Sequence, residues 1–369
     1  MTDATTHAVE FTVCRSSVRV GGLTAEQRDR LLHEWARCHA QAVPDDESIE
    51  LRPRRGEDWD TFHERAIHRA TSEAIDSGVG SQLMLHAAAL ALPETGATIV
   101  LAAESGTGKT TATRTLGTAL AYLTDETAMI DPVSFALSPY AKPLSVLGPS
   151  GRRPKRQHAP DDLGLLPEVD GVLQRVAVLD RVRHGDEDVA ACAEPATAGE
   201  VLPLLVPQTS SLCRLPRGLV TLCETLDRTG GAVRLVYREA ADLVPVVQEL
   251  LSHAPEPAER GWDPLDDHEL GASVPADDID TLVPAGALRR VAVDDGLFVE
   301  DGRLALLHGT RLSMLDGLGP ALWLMLDAPR TPEQLLDLLA ESGPLPEDAR
   351  ERLDAAVNGL RGRGLLELA

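Results

Sequence analysis

Aromatic residues are scarce in this chain of 369 residues, since Phe, Trp and Tyr together make up only 3% of it. We therefore expect the hydrophobic cores to be built from Leu, Val and Ala. Long apolar runs are missing too: no stretch reaches the roughly 18 residues that a transmembrane helix needs. The first residues, MTDATTHAVEF, have no basic segment followed by an apolar one, so we expect no secretory signal.

Cysteine is also rare. The five cysteines are an odd number, and no two lie close together in the sequence. No Cys/His group has the spacing of a zinc site. This pattern is typical of reduced, packed thiols, so we expect a cytoplasmic protein. The positions are Cys14, Cys38, Cys192, Cys213 and Cys223.

Positive charge is in short supply, because 35 Lys and Arg residues face 58 Asp and Glu residues, for a formal net charge of −23. Such an excess of negative charge repels phosphate backbones and anionic lipid surfaces. We therefore expect neither a nucleic acid nor a membrane as partner. A neutral or basic peptide would suit the charge better.

One stretch stands out against this background. Residues 104–111 read ESGTGKTT, after a short apolar strand that ends near Ala102 and before a helix that begins near Thr110. The pattern is that of a phosphate-binding loop, G-x-x-x-x-G-K-[ST], with Ala103 at the first glycine position. The predicted nucleotide-binding residues are Glu104, Ser105, Gly106, Thr107, Gly108, Lys109, Thr110 and Thr111.

The residue types of this loop fit the chemistry of a nucleoside triphosphate. Gly106 and Gly108 allow backbone N–H groups to approach phosphate oxygens without an intervening Cβ. The start of the next helix adds unpaired N–H groups and the positive end of its dipole. Lys109 would reach the β- and γ-phosphates, and the Thr110 hydroxyl would bind Mg²⁺. We therefore expect ATP and Mg²⁺ as cofactors.

Two carboxylates follow the next predicted strand, residues 120–124, as Asp125 and Glu126. In a βαβ unit, adjacent parallel strands end at the same edge of the sheet. Glu126 would then support the metal, and Asp125 would accept a proton from an attacking hydroxyl. The alternative is an acidic turn that is merely solvated.

The loop and its surroundings resemble HPr kinase/phosphorylase, and in particular its diverged relatives encoded with ribosomally made peptide natural products. The resemblance spans roughly residues 80–250 and lies in LHAAA (85–89), ESGTGKTT, LTDET and YAKPL (140–144). It implies an α/β phosphate-binding-loop fold, shared by the HPr kinase C-terminal domain and phosphoenolpyruvate carboxykinase.

The same resemblance implies roles for single residues. Asp125 matches the family's general base toward a serine hydroxyl, and His86 matches a histidine near the nucleotide site. The family's usual Asp-Asp pair is Asp-Glu here, and we find no match to its later acidic signature. Members of this family form hexamers, so a homo-oligomer is a further expectation.

A basic cluster, GRRPKR at residues 151–156, lies between Pro and Gly and predicts a loop. Such a loop would cover the nucleotide or hold a peptide. The alternative is a solvated loop without a partner.

The sequence predicts four regions. Residues 1–78 form a small α+β part and residues 79–253 the kinase-like domain. Residues 254–286 hold nine acidic residues, one basic residue and five prolines, which predicts an extended linker. Residues 287–369 form a C-terminal module of short strands, three helices and a closing strand, in which Asp-Gly pairs at 295–296 and 301–302 predict tight turns.

This order predicts a winged helix-turn-helix. Leu322, Trp323 and Leu326, followed by TPEQL (331–335), resemble the PQQ-biosynthesis protein D family. The resemblance implies recognition of the leader segment of a ribosomally synthesised precursor peptide, by strand addition to an edge strand near residues 303–308. The expected leader contacts are Arg303, Leu304, Ala305, Leu306, Leu307, His308, Leu353 and Val357.

These expectations combine into a kinase, dependent on ATP and Mg²⁺, that phosphorylates a Ser or Thr hydroxyl of a precursor peptide held by its leader. Two alternatives remain open. The chain would be a non-catalytic nucleotide-binding carrier of the leader, or a kinase for a small molecule or a carrier protein.

Overall fold

The structure is a computed structural model that describes residues 6–104, 106–147, 153–182, 190–271 and 283–369. It is a mixed α/β protein with two compact units. Unit 1 comprises residues 1–196, 208–215 and 224–259, and unit 2 comprises residues 197–207, 216–223 and 260–369. Among the described residues, no helix is long and apolar enough to cross a membrane.

The N-terminal part of unit 1 packs two helices on a three-stranded sheet of order β2-β1-β3. Thr24 caps the first helix: its side chain accepts a bond from the Gln27 backbone N–H, and the Gln27 side chain accepts one from the Thr24 backbone N–H. The elements are β1 (His7–Val13), β2 (Ser16–Leu23), α1 (Ala25–Glu34), β3 (Gln41–Val43) and α2 (Trp59–Gly78).

The chain then forms the central elements. They are β4 (Leu83–Leu85), β5 (Ala87–Ala91), β6 (Ala97–Ala102), α3 (Lys109–Leu116), β7 (Ala121–Thr124), β8 (Ala128–Ile130), β9 (Leu137–Ser138), β10 (Leu144–Val146), β11 (Arg156–His158), β12 (Val172–Arg181), β13 (Cys192–Ala196), α4 (Ala198–Leu205), α5 (Gly218–Arg228), β14 (Ala232–Tyr237) and α6 (Leu243–Ser252). Helix α4 and the first six residues of α5 belong to unit 2.

The main sheet of unit 1 has six strands in the order β13-β14-β12-β6-β5-β7. The sequence predicts that β7 lies directly beside β6, and this is wrong, because β5 lies between them. Both strands are antiparallel to β5, so β6 and β7 run in the same direction. Their carboxyl ends therefore still share one edge of the sheet, which brings residues after Ala102 and after Thr124 together.

Two cores of different composition stabilise unit 1. Leu, Val, Ile and Ala dominate the core between the main sheet and helices α3 and α6, to which Tyr237 contributes a buried ring. Rings gather in the N-terminal core instead, where Phe11 stacks on Trp35 at 3.9 Å between centroids and Phe62 packs nearby. This small core therefore relies on aromatic packing more than the core of the main sheet does.

Unit 2 is built on a four-stranded antiparallel sheet of order β15-β17-β18-β19 and a two-stranded pair of β16 and β20. Leucines and the buried Trp323 fill its core. Thr331 caps α8, and Pro332 occupies the first helical position. The elements are β15 (Trp262–Pro264), β16 (Leu288–Arg290), β17 (Asp295–Val299), β18 (Leu304–His308), β19 (Arg311–Leu315), α7 (Gly319–Met325), α8 (Pro332–Glu341), α9 (Ala349–Gly362) and β20 (Leu366–Leu368).

The structure differs from one predicted turn and from part of the predicted linker. Strand β15 pairs with β17 inside the segment predicted as an extended linker, because Trp262 and Leu265 provide apolar side chains to bury. The predicted Asp-Gly turn at 295–296 lies within β17 instead. Buried Asp295 accepts hydrogen bonds from the backbone N–H groups of Leu219 and Val220 at the start of α5. Its carboxylate therefore caps this helix and does not stabilise a turn. The four predicted domain boundaries stay a prediction.

The turn between β5 and β6 depends on Gly96, which has a φ of 73°, and a Cβ there would overlap the backbone carbonyl oxygen of Asp170. We expect Gly96→Ala to lower the free energy of unfolding by about 3 kcal/mol, as measured by urea denaturation. Gly164→Ala is the matched control, because Gly164 has a φ of 66° but no atom within 4 Å of its Cβ position. It should cost about 1 kcal/mol. Equal losses in the two variants would contradict the overlap.

Candidate active site

The segment between β6 and α3 is a tight loop formed by its glycines. Gly106 and Gly108 have φ values of 83° and 103°, a region that other L-residues rarely adopt. The Thr107 hydroxyl donates a 2.6 Å hydrogen bond to the carbonyl oxygen of Glu104. Helix α3 begins at Lys109 directly after this loop, with Gly108 as its N-cap. The first N–H groups of α3 therefore face the loop, as an anion site requires.

Lys109 reaches from the loop to the preceding strands. Its ammonium donates a 2.9 Å hydrogen bond to the backbone carbonyl of His86. The backbone N–H of His86 in turn donates to the carbonyl of Gln208. Burial lowers the pKa of Lys109 to about 8, and the nearby Glu126 and Asp125 oppose this shift. A desolvated cation of this kind gains most when a phosphate is beside it.

The two carboxylates after β7 have different surroundings. Asp125 is buried, and its Oδ1 atom accepts a 2.8 Å hydrogen bond from the Tyr122 hydroxyl and lies 2.8 Å from the Lys142 ammonium. Glu126 is about one-quarter exposed, with oxygens 3.5 Å from the ammonium of Lys142 and 3.5 Å from Nδ1 of His86. Two adjacent acids thus have a buried and an accessible position.

Charge around Glu126 and His86 sets their protonation. Burial raises the pKa of Glu126, but the positive charges of Lys142 and Lys109 outweigh this effect, so the pKa is lowered. Burial and the charge of Lys109 lower the pKa of His86, against the pull of Glu126. Glu126 is therefore an anion and His86 a neutral imidazole near pH 7.

Lys142 is the site residue that sequence reasoning missed. Its segment, YAKPL, carries part of the family resemblance, yet only the structure shows that Lys142 has no exposed surface and contacts both carboxylates. A signal was present in the composition. The chain has only three lysines, Lys109, Lys142 and Lys155, among its 35 basic residues, and all three lie at this site. Elsewhere the chain uses arginine.

Lys109, Asp125 and Glu126 line a cavity of about 730 Å³ in unit 1. The β10–β11 hairpin contributes Val146, Leu147, Arg153 and Lys155 to its wall, so part of the predicted basic loop does reach the cavity. Residues 151 and 152 of that loop lie outside the described residues, as does Ser105. The predicted site residues that line the cavity are His86, Glu104, Gly106, Gly108, Lys109, Thr110, Thr111, Asp125 and Glu126.

The donor set can be tested against Mg²⁺. Thr110 offers a hydroxyl oxygen and Glu126 a carboxylate, and both line the cavity. Mg²⁺ prefers oxygen ligands and is commonly held by one or two protein groups together with substrate phosphates and waters. The residues present therefore fit this ion. Among the described residues, no group of three or more His, Cys, Asp or Glu side chains could hold a metal without such help.

The predicted leader-binding residues are not at an edge of the unit 2 sheet. Strand β18 contains Leu304, Ala305, Leu306, Leu307 and His308, and it pairs with β17 on one side and β19 on the other. The structure thus contradicts the edge-strand interpretation, because β19 was not foreseen. The remaining predicted leader contacts are engaged within unit 2. Leu353 and Val357 are buried in its core, and Arg303 forms an ion pair with Asp301.

The two edge strands of this sheet are β15 and, on the other side of β18, β19. Two grooves lie along this strand and helix α9. One is lined by residues 310–314 with Gly362 and Arg363, together with Pro203 and Pro207. The other is lined by Leu318, Ala355, Ala356 and Gly359, among others. An extended peptide paired with β19 would lie in these grooves.

Comparison with known proteins supports part of this description. Residues 303–366 match the family model of coenzyme PQQ synthesis protein D (PqqD). The resemblance of the C-terminal module to that family is therefore confirmed over these residues, which are part of unit 2.

A solved structure, the Hpr(Ser) kinase/phosphatase from Coxiella burnetii, is similar at 11% sequence identity and a TM-score of 0.25. The match covers 46% of this chain and 93% of that chain. No curated protein matches this chain. The function of unit 1 is therefore inferred from the side chains that line its cavity.

The lowered pKa of Lys109 has a consequence for stability. The ammonium pays a desolvation cost in the folded state that is fully present below pH 8, and this cost fades between pH 8 and the unfolded value of 10.5. We therefore expect Lys109→Met to raise the free energy of unfolding near pH 7, with the gain shrinking as pH rises from 8 to 10.5. Urea unfolding at several pH values measures this.

Thr111→Val is the matched control, because it changes a neighbouring residue of the loop without changing charge. Its difference from the unaltered protein should not vary with pH. A pH-independent effect of Lys109→Met would contradict the partial burial of the ammonium.

Proposed function

We propose that this protein is an ATP- and Mg²⁺-dependent kinase that phosphorylates a Ser or Thr hydroxyl of a ribosomally synthesised precursor peptide, which its C-terminal module holds by the leader. The observation that carries the proposal is the cavity of unit 1. It places a glycine-rich loop at a helix start, Lys109 and the buried carboxylate of Asp125 around one space.

In this mechanism, the N–H groups of the loop and of α3 bind the phosphates. Lys109 moves its ammonium from the His86 carbonyl to the β- and γ-phosphate oxygens, where it offsets charge in the transition state. Thr110 and Glu126 would hold Mg²⁺, which supplies further positive charge to the phosphates. The hairpin residues Arg153 and Lys155 add cationic groups to the cavity wall.

Asp125 acts on the acceptor. Its Oδ1 atom is engaged by Tyr122 and Lys142, so the Oδ2 atom is the oxygen that would accept the proton of the peptide hydroxyl. Burial of Asp125 keeps bulk water away from this oxygen, which favours transfer to the peptide over hydrolysis. This geometry supports the base role that the family resemblance implies.

The proposed role of unit 2 rests on the PqqD match at residues 303–366, together with the leader recognition that the resemblance to that family implies. We interpret the module as a winged helix-turn-helix whose β19 edge takes an extended leader as an additional strand. Side chains of the leader would enter the grooves beside α9. Tethering the leader raises the local concentration of the segment to be modified at the kinase site.

Further proposals accompany this function. The described cysteines are all free thiols, in keeping with a cytoplasmic protein. The charge of −23 argues against nucleic acid and anionic membranes as partners. A homo-oligomer remains a proposal that the family resemblance alone supports. Size-exclusion chromatography with light scattering would test it.

The base role predicts the effect of a single substitution. Asp125→Asn should reduce kcat for phosphorylation of the precursor about 10³-fold, because the amide cannot accept the proton. Nucleotide affinity should change less than threefold. The measurement is the mass gain of one phosphate on the precursor, together with binding of a fluorescent nucleotide.

Two outcomes would decide against a kinase that acts on the precursor peptide. Tight nucleotide and leader binding with no mass gain would favour the non-catalytic carrier. Phosphorylation of a small molecule or another protein, with the precursor left unmodified, would favour a kinase for a small molecule or a carrier protein.

The leader site predicts a different substitution. Gly359→Leu should weaken leader binding at least tenfold, because the new side chain fills the groove, and no atom lies within 4 Å of the Cβ position to oppose it. Asn358→Leu is the matched control: the residue is adjacent and exposed but does not line the groove. Fluorescence anisotropy of a labelled leader measures both. Equal affinities of the two variants would exclude this groove.

A further inference from the structure

Lys142 lies between the two carboxylates of the candidate active site without access to solvent. Its ammonium is 2.8 Å from Oδ1 of Asp125 and 3.5 Å from Oε2 of Glu126, and it donates a 3.1 Å bond to the carbonyl of Pro143. Its three donor directions therefore all meet oxygen atoms. No part of the side chain is exposed, so it does not touch a substrate in the cavity.

The ammonium keeps its proton. Burial lowers the pKa of Lys142, but the charges and hydrogen bonds of Asp125 and Glu126 outweigh it, so the pKa is raised. A lysine that stays charged at neutral pH is neither a nucleophile nor a general base. Whatever Lys142 contributes to chemistry must pass through the carboxylates that it contacts.

Asp125 is held at one oxygen only. Tyr122 is also fully buried, and its hydroxyl donates to the same Oδ1 atom that Lys142 contacts. Burial and the charge of Asp125 raise the pKa of Tyr122 well above its usual value, so Tyr122 remains a neutral donor. Two fixed partners on Oδ1 determine the orientation of the carboxylate plane and hence the position of Oδ2.

We propose that Lys142 is a positioning residue for phosphoryl transfer, an inference that rests on the proposed kinase function. Its ammonium fixes the orientation of Asp125 through the 2.8 Å contact to Oδ1, and it lies 3.5 Å from Glu126, the next residue, where it offsets the charge of that carboxylate. Without a fixed cation between them, two adjacent carboxylates in a buried site would repel each other. Lys142 thereby separates the proton-accepting carboxylate from the one that would hold the metal.

Lys142 takes no part in the bond changes of the proposed phosphoryl transfer. The acceptor O–H bond breaks, and its proton goes to Oδ2 of Asp125. The acceptor oxygen forms a bond to the γ-phosphorus, and the bond from that phosphorus to the bridging oxygen breaks, which releases ADP. Lys142 gives up no proton, and its contact to Oδ1 persists while Oδ2 becomes protonated.

A double-mutant cycle tests this proposal in the full-length protein with ATP, Mg²⁺ and precursor. Lys142→Met keeps the length of the side chain and removes the charge. We expect kcat to fall at least 100-fold, with the KM for ATP within threefold. The double variant with Asp125→Asn should be no slower than Asp125→Asn alone, because Lys142 acts through that carboxylate. Tyr122→Phe, which removes the other bond to Oδ1 and keeps the cation, should lower kcat less than tenfold.

Thermal unfolding gives a readout that does not need activity. It is measured on the unaltered protein, Lys142→Met, Asp125→Asn and the double variant. Lys142→Met should lower Tm because it leaves Asp125 buried without a counter-charge, and adding Asp125→Asn should restore most of the loss. A kcat within threefold in Lys142→Met, or a double variant at least tenfold slower than Asp125→Asn, would overturn the proposal. If the unaltered protein transfers no phosphate, the proposed kinase function fails. If Lys142→Met also lowers Tm equally in the unaltered protein and in Asp125→Asn, Lys142 does not hold Asp125.

Discussion

The buried ion pair between Lys142 and Asp125 is the interaction on which the rest of the site depends. An isolated charge in such a position would be strongly disfavoured, and removing one partner of a buried pair typically costs about 3–5 kcal/mol. Tyr122 and Pro143 supply further hydrogen bonds to the two charged groups, Tyr122 to Asp125 and Pro143 to Lys142. Because Lys142 precedes β10 and Asp125 follows β7, this pair also ties the cavity wall to the end of the main sheet.

The sequence predicts the local features of this protein well. The glycine-rich loop before α3 and the caps of α1 and α8 depend on residues within a few positions of each other, so their physics is contained in short segments. Asp125 and Glu126 were placed at the correct edge of the sheet although β5 separates β6 from β7. That prediction succeeded because strand direction, rather than adjacency, decides which ends meet.

Features that depend on distant segments could not be predicted in the same way. Strand β18 was interpreted as an edge because β19 was not recognised, and β15 lies in a segment whose acidic composition is typical of a linker. Lys142 is separated by 17 positions from Asp125, and only the folded chain shows their contact. The scarcity of lysine was the one sequence signal for it, since a chain that otherwise uses arginine retains lysine only around this cavity.

That distribution gives the protein a built-in chemical reporter. An amine-selective acylating reagent has three side-chain targets in this chain, and each has a different environment. Half-buried Lys155 would react first, Lys109 only while its ammonium is free of bound phosphate, and Lys142 only once the chain unfolds. Mass spectrometry of the three positions would therefore record ligand occupancy and loss of structure in the same sample.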